Sequence, residues 1–410
     1  MKIAYLAHRV PYPPNKGEKI RTFHQIKYLA EQGHEICVFA PTNSVKDIED
    51  LSALESAYCK NSFHAPAPGF SSMITGLVAN KPLSVAHFYT SRLQQQFDKY
   101  IRDQGVDAVV CTSSSMAEYI FRSHEPSLKH ISLVMDFMDL DSDKWNQYRK
   151  IKPFPLSLIY QREAFLISRF EKKIYQFFDS VMFISKNEVD LFVKLVNDSK
   201  KVHVIGNGMD TNTFKPSNNE KRGSTPVFLF TGVMDYLPNE DAVIWFVDNC
   251  WENIKLKYPA AEFYIVGMNP SAKVRDLEKY SGVTVTGFVD DITEYYEKSN
   301  CFIAPFRLAR GVQNKVLQAF ACGLTTISTT LGCEGINCED GKHVLIADSV
   351  KDILEKVDWA VSNPNEAAEL GKNAARLIKE EYSWESKLSS FEAILGHHSL
   401  NKESILPLRS

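Results

Sequence analysis

Four loops along the chain combine glycine with polar or charged residues in the pattern that binds an anionic nucleotide. The most telling is APFRLARGVQNKVLQAFACG, where an apolar run ends at Pro305 and a helical pattern begins near Gln313. Gly311 precedes that helix, and Arg310 and Lys315 flank it. Helix N-termini offer free N–H groups and a partial positive charge to phosphate. A lysine in the first turn opposes the macrodipole, so it either answers an anionic partner or is a solvated surface residue. The other three loops are HRVPYPPNKGEKIR with Gly17, FTGVMDYLPN with Gly232, and VTGFVDD with Gly287, Phe288 and Val289. Each of these also reads as a plain tight turn between a strand and a helix.

A second cluster is acidic. MDFMDLDSDKW carries Asp136, Asp139, Asp141 and Asp143. Such carboxylates can do acid–base work, ligate a cation, or cap a helix that starts near Ser142. The glycine and terminal Glu of a calcium loop are missing from the spacing, which weighs against a metal. Asp139 is the first candidate for chemistry and Asp136 the second. Glu163, in YQREAF, joins them if it faces the ligand. From Lys144 to Lys173 the chain then holds Lys144, Arg149, Lys150, Lys152, Arg162, Arg169, Lys172 and Lys173 against two Glu. The run fits a solvated helix face, or a peripheral membrane contact with anionic headgroups or a lipid-linked diphosphate.

The elements that must position these loops alternate between β-rich runs and helical stretches throughout, the pattern of parallel sheets with crossover helices. The fold class is therefore α/β. Expected strands in the first half are Lys2–Ala7, Glu35–Ala40, Asp107–Thr112, His130–Met135, Ser180–Ile184 and Val202–Ile205, with helices over Glu18–Gln32 and Leu156–Phe178. APAPGFSS, from Ala65, reads as a surface loop. The second half offers Val227–Thr231, Glu262–Val266, Val283–Thr286, Cys301–Pro305, Thr325–Thr329 and Val344–Ala347. Between the halves, KPSNNEKRGST (215–225) marks a linker, which predicts domains over 1–214 and 226–382. A C-terminal helix in 383–410 would pack back on the first domain. Ligands in such sheets bind beyond the carboxyl ends of strands, where all five segments above lie.

At 410 residues the chain exceeds what one core usually supports. Its 47 Lys and Arg against 50 Asp and Glu give no field that would gather nucleic acid. Eight cysteines include no C-x-x-C pair and mostly sit in apolar runs, as structural thiols do. The start, MKIAYLAH, is too short for a signal-peptide core, and no window reaches the ~18 apolar residues of a membrane span. A cytoplasmic protein, peripheral at most to the inner membrane, is expected.

Five motifs in order, HRVPYPPNKGEKIRTFHQ, MDFMDLDSDKW, GNGMD, TGVMDYLPNEDAVIWF and ARGVQNKVLQAF, resemble GT-B-fold glycosyltransferases of the family-4 type. The likeness is strongest to the sugar transferase subfamily of PEP-CTERM/exosortase exopolysaccharide systems. That resemblance implies two Rossmann-like domains around a cleft and a retaining, metal-independent transferase without cofactor. It implies a nucleotide-diphosphate sugar as donor and a glycan or lipid-linked acceptor in surface polysaccharide synthesis. It places Gly17, Gly232, Gly287, Phe288, Val289, Arg310, Gly311, Val312, Gln313, Asn314, Lys315 and Gln318 at the donor. The family's Glu-x7-Glu motif falls on Arg310 and Gln318, a cation and an amide. Gln318 can still accept from a ribose hydroxyl, and Arg310 with Lys315 would meet the diphosphate. A GT-B-fold sugar-nucleotide epimerase, a two-domain ligand-binding protein and a catalytically degenerate nucleotide-sugar binder share most of these features.

Overall fold

Strands β1 (Lys2–Ala7), β2 (Glu35–Thr42), β3 (Asn61–Pro66), β4 (Ala108–Thr112), β5 (Ser132–Met138), β6 (Ser180–Phe183) and β7 (Val202–Val204) form one sheet, in the order β3-β2-β1-β4-β5-β6-β7. A second sheet holds β8 (Val227–Thr231), β9 (Glu262–Val266), β10 (Val283–Gly287), β11 (Cys301–Ala304), β12 (Thr325–Ser328) and β13 (Leu345–Ile346), in the order β10-β9-β8-β11-β12-β13. The pairs in both are parallel. Each order starts in the middle, runs outward to one edge, then returns to the other, which is the doubly wound pattern with a switch point beside its first strand. These coordinates are a computed structural model that describes residues 1–396 apart from 16, 69–75, 77–79, 152, 218–224 and 310.

The chain divides into two compact units, Met1–Asn207 with Lys387–Ser410, and Gly208–Ser386. Helices cover both faces of a parallel sheet, so its inner strands are apolar on both sides: all of β4 and β5 is buried. The boundary at Asn207 precedes the polar stretch 215–225 expected from sequence. Residues from Gly208 on belong to the second unit because Met209 bridges to Ser383 and Phe214 packs edge-on against Tyr296. Helix Trp384–Leu395 begins in the second unit, and Glu392 near its end accepts from Tyr28 Oη (3.3 Å) and pairs with His34 Nε2 (2.9 Å) in the first.

Two further expectations change. NSFHAP is an edge strand, so the loop expected from Ala65 starts only after Pro66, and its remainder, 69–72, lies outside the described residues. Asp136, expected as a reactive carboxylate, has no exposed surface. Its Oδ2 receives Arg21 Nε (2.6 Å) and Gln25 Nε2 (2.6 Å) from helix Gly17–Glu31. Arg21 also donates Nη1 to Ile205 O (2.7 Å) and Asn207 Oδ1 (3.1 Å). One buried ion pair thus ties the first helix to β5 and to the chain beyond β7.

Removing one partner of a buried ion pair strands the other charge without water. Asp136→Ala should therefore cost about 3–5 kcal/mol in urea unfolding, whereas Asp139→Ala, at an exposed side chain, should cost within about 0.5 kcal/mol. Equal effects of the two would show that Asp136 does not anchor the sheet.

Candidate functional site

In the second unit, the loops after β8 and β11 flank the switch point, and a cavity of about 810 Å³ opens there. Its wall includes Thr231 and Gly232, Tyr236 and Asn239, Gly267 and Met268, Phe288 and Val289, then Asn314, Lys315 and Gln318.

The β8 loop is shaped by small residues. A Cβ on Gly232 would stand 2.6 Å from Asn239 Nδ2 and 3.4 Å from Lys315 Cε. On Gly267, at φ +147°, it would lie 1.7 Å from the Gly232 carbonyl oxygen. Two backbones meet where side chains would otherwise separate them, leaving room beyond the strand ends for a ligand to touch main chain. Asn239 is buried; its Nδ2 donates to Val233 O (2.9 Å), which orients Oδ1 toward Lys315.

Lys315 reaches back from helix Asn314–Ala321 to that loop. Its Nζ donates to Asn239 Oδ1 (2.9 Å) and Gln313 Oε1 (3.4 Å) and sits 4.9 Å from the centre of the Phe306 ring. Both acceptors are neutral. Burial pushes its pKa down to about 8, because a desolvated ammonium sheds its proton more readily.

Below it, Tyr296 Oη donates to Gln318 Oε1 (3.2 Å) and shares a hydrogen bond with Thr231 Oγ1 (2.8 Å). Tyr296 is fully buried, and burial raises its pKa, so the hydroxyl stays protonated. Gln318 keeps its NH2 and one carbonyl lone pair for another partner. On the opposite flank Phe288 is 69% exposed and, with Met268, Val289 and Ile292, gives an apolar wall.

Of the residues expected at a donor, Gly232, Phe288, Val289, Asn314, Lys315 and Gln318 line this one cavity. Gly287 ends β10 at φ +71° just before it. Gly311 (φ +65°), Val312 and Gln313 precede the helix without lining the cavity, and Val312 lies against Gly335. Arg310 lies outside the described residues. Gly17 opens a helix in the first unit. Sequence reasoning missed Thr231, Asn239, Gly267, Met268 and Tyr296. Only Gly267, directly after a strand, carried a signal of the kind used for the others.

The acidic loop of the first unit follows β5, where register shifts between Asp136 and Met138 and Met138 adopts φ +63°. Asp139 is exposed there. Around it, Leu140 N–H donates to Glu188 Oε2 (2.6 Å), Ser142 N–H to Glu171 Oε1 (3.0 Å) and Ser114 Oγ to Asp141 Oδ2 (2.5 Å). Burial drives Glu171 up to about 8; burial, then Asp139, drives Glu188 up to about 7. Glu163 is 1% exposed, accepts from Leu83 N–H (2.8 Å) and pairs with Arg162 (2.7 Å). It therefore holds two helices together instead of facing a ligand. Among the described residues, no three His, Cys, Asp or Glu side chains cluster as metal ligands, and no helix is long and apolar enough to cross a membrane.

Residues 225–363, the part that carries the cavity, match the family model described as glycosyl transferases group 1. Solved structures share the whole architecture: sucrose-phosphate synthase from Thermosynechococcus elongatus (TM-score 0.60, 15% identity, 96% of this chain and 98% of that one) and HepE from Anabaena in complex with UDP (0.61, 14%, 96% and 99%). WaaG, a glycosyltransferase involved in lipopolysaccharide biosynthesis, gives 0.56 at 14% identity, covering 96% and 100%. The fold is GT-B, with two Rossmann-like domains. An uncharacterized 44.6 kDa protein in the cps region of Klebsiella pneumoniae is 24% identical over 408 residues, 95% of this chain and 98% of that protein. The domain match together with the fold supports a glycosyltransferase.

The close approach of the two loops makes a local prediction. Gly267→Ala forces the β8 loop away and should cost more than about 3 kcal/mol, while Gly287→Ala, open at its Cβ but left-handed, should cost about 1 kcal/mol. Chemical denaturation of the two variants measures both, and a Gly267→Ala protein as stable as Gly287→Ala would refute the packing described.

Proposed function

We propose that the chain is a retaining glycosyltransferase that moves a sugar from a nucleoside-diphosphate donor to a glycan or lipid-linked acceptor in surface polysaccharide synthesis. The observation that carries the donor assignment is Lys315: a half-buried ammonium held by two neutral acceptors at the mouth of a switch-point cavity. A diphosphate supplies the missing negative charge. Gln318, oriented by Tyr296, meets the ribose hydroxyls, and the nucleobase lies along Phe288 and Val289. Arg310, from the sequence pattern, adds a second cation to the diphosphate. The bound UDP and UDP-glucose of HepE and the cps-region location of the Klebsiella relative favour this donor class and this setting.

In the proposed reaction the bond from the sugar's anomeric carbon to the diphosphate breaks. The acceptor oxygen then bonds to that carbon from the same face, and its proton passes to the departing phosphate. Lys315 stabilises the charge that develops on the leaving oxygens. Asp139 is the exposed carboxylate assigned to the acceptor side, and Asp136 and Glu163 drop out because both are buried in ion pairs. No metal is assigned a step, and a cytoplasmic setting follows from the donor.

The test is a thermal-shift screen with UDP-, GDP-, ADP- and CMP-sugars, in which one nucleotide family should stabilise the protein and Lys315→Gln should abolish most of the shift. Binding also has a definite pH dependence. In the free protein Lys315 loses its proton near pH 8, whereas a bound diphosphate holds the proton on. Affinity should thus be level below pH 7, with proton uptake on binding at higher pH, and fall roughly tenfold between pH 7.5 and 9. Calorimetry in buffers of different ionisation enthalpy reads this directly. A pH-independent affinity, or no stabilisation by any sugar nucleotide, would overturn the donor assignment.

A further inference from the structure

Helices Asp141–Ile151 and Leu156–Phe177 form a hairpin on the first unit whose outer surface combines large exposed apolar side chains with exposed cations. A long helix against a sheet buries one stripe and normally turns charges of both signs to water. Here the buried stripe holds Glu163, Ile167, Glu171, Ile174 and Tyr175, so both acidic residues of the second helix face inward. The opposite stripe reads Leu158, Arg162, Phe165, Arg169 and Lys172, at alternating spacings of four and three that keep them on one face.

Large apolar side chains stand out in solvent along it. Phe154 is 77% exposed, Phe165 60% and Leu158 56%, with Tyr148, Leu156 and Ile159 beside them at the turn. Cations surround them: Lys144, Arg149, Lys150, Arg169 and Lys172 are exposed, and among the described residues none forms an ion pair. An apolar tip ringed by Lys and Arg, with the part-exposed Asp141 and Asp143 set apart from it in the first turn of the first helix, is the composition of a segment that lies in the plane of a lipid interface.

We propose that this hairpin docks the protein on an anionic phospholipid bilayer, with Phe154, Leu158 and Phe165 entering the headgroup boundary and Arg149, Lys150, Arg169 and Lys172 contacting lipid phosphates. Charge selects this occupant. A second copy would set the same cations against each other across a twofold contact, with only the part-exposed Asp141 and Asp143, at the end of the first helix away from the tip, among the hairpin's outward acids to answer five exposed cations. Apolar side chains of this size, left in water, gain by insertion where a purely electrostatic partner would leave them wet.

Flotation of the full-length protein with phosphatidylcholine vesicles, and with vesicles containing roughly a third phosphatidylglycerol, tests this without nucleotide, so it stands or falls apart from the donor assignment. The wild-type chain should float with anionic vesicles about tenfold more than with neutral ones, and less as salt rises. Phe154→Asp/Leu158→Asp/Phe165→Asp should lose about tenfold of that binding, and so should Arg149→Glu/Lys150→Glu/Arg169→Glu/Lys172→Glu. All of these side chains are outward, and far-UV circular dichroism checks that each variant remains folded. Absence of flotation, equal flotation with neutral vesicles, or an apolar variant that floats like the wild type overturns the proposal. So does light scattering that shows a wild-type dimer converted to a monomer by the apolar substitutions, since a second copy would then cover the face.

Discussion

An ammonium group deprived of most of its water is the constraint on which the carboxyl edge of the second sheet depends. Lys315 comes from a helix after β11 yet ends beside the loop after β8, where Asn239 and Gln313 accept from it and Phe306 offers its ring. A carboxylate in place of either amide would hold the lysine more strongly but neutralise it. Neutral acceptors fix its position and leave its charge uncompensated, which is the condition for an anion to bind with a gain. The glycines follow from the same arrangement. Gly232 is bare because Asn239 and Lys315 come in over it, and Gly267 is bare because the Gly232 carbonyl occupies the place of its side chain.

The first sheet has the same doubly wound order but closes its charges internally. Arg21 and Asp136 meet at 2.6 Å with neither exposed, and Gln25 completes the acceptor. A satisfied pair of this kind fixes a helix to a strand, so it cannot also wait for a ligand. What remains open in that unit lies one turn further along, where a bulge and the left-handed Met138 swing Asp139 out of the strand. Similar topology thus yields an anchor in one domain and an open cavity beside a lysine in the other, according to whether the cation meets a carboxylate or an amide.

Most of the architecture was legible because a parallel strand covered on both faces must be a continuous apolar run, and such runs are conspicuous. β3 escaped because NSFHAP lies at the sheet edge, half exposed and polar, with only Ala65 buried. The loops that hold Gly232, Phe288 and Val289, and the start of the helix that holds Lys315, were legible from their place after strands, whereas Gln318 came from the resemblance. Tyr296 and Asn239 were not legible, since they contribute through contacts with residues 22 and 76 positions away that no local pattern encodes. Asp136 misled for a related reason: an acid among apolar residues can face a ligand or a buried partner, and Arg21, 115 positions distant, decided for the partner.

The basic run shows the same limit in charge. Eight cations against two Glu between Lys144 and Lys173 is a modest excess as a count, compatible with a solvated face. Folding sharpens it by sorting. Glu163 and Glu171 turn inward, where burial raises the pKa of both and takes Glu171 to about 8, so at neutral pH the latter is largely protonated. Glu163 that remains ionised is matched by Arg162 at 2.7 Å. The field outside the second helix is consequently set by cations, and the Phe and Leu between them lie on the side those cations face. Sign and hydrophobicity coincide on one surface of the second helix because the period of 3.6 residues placed both of its Glu on the other.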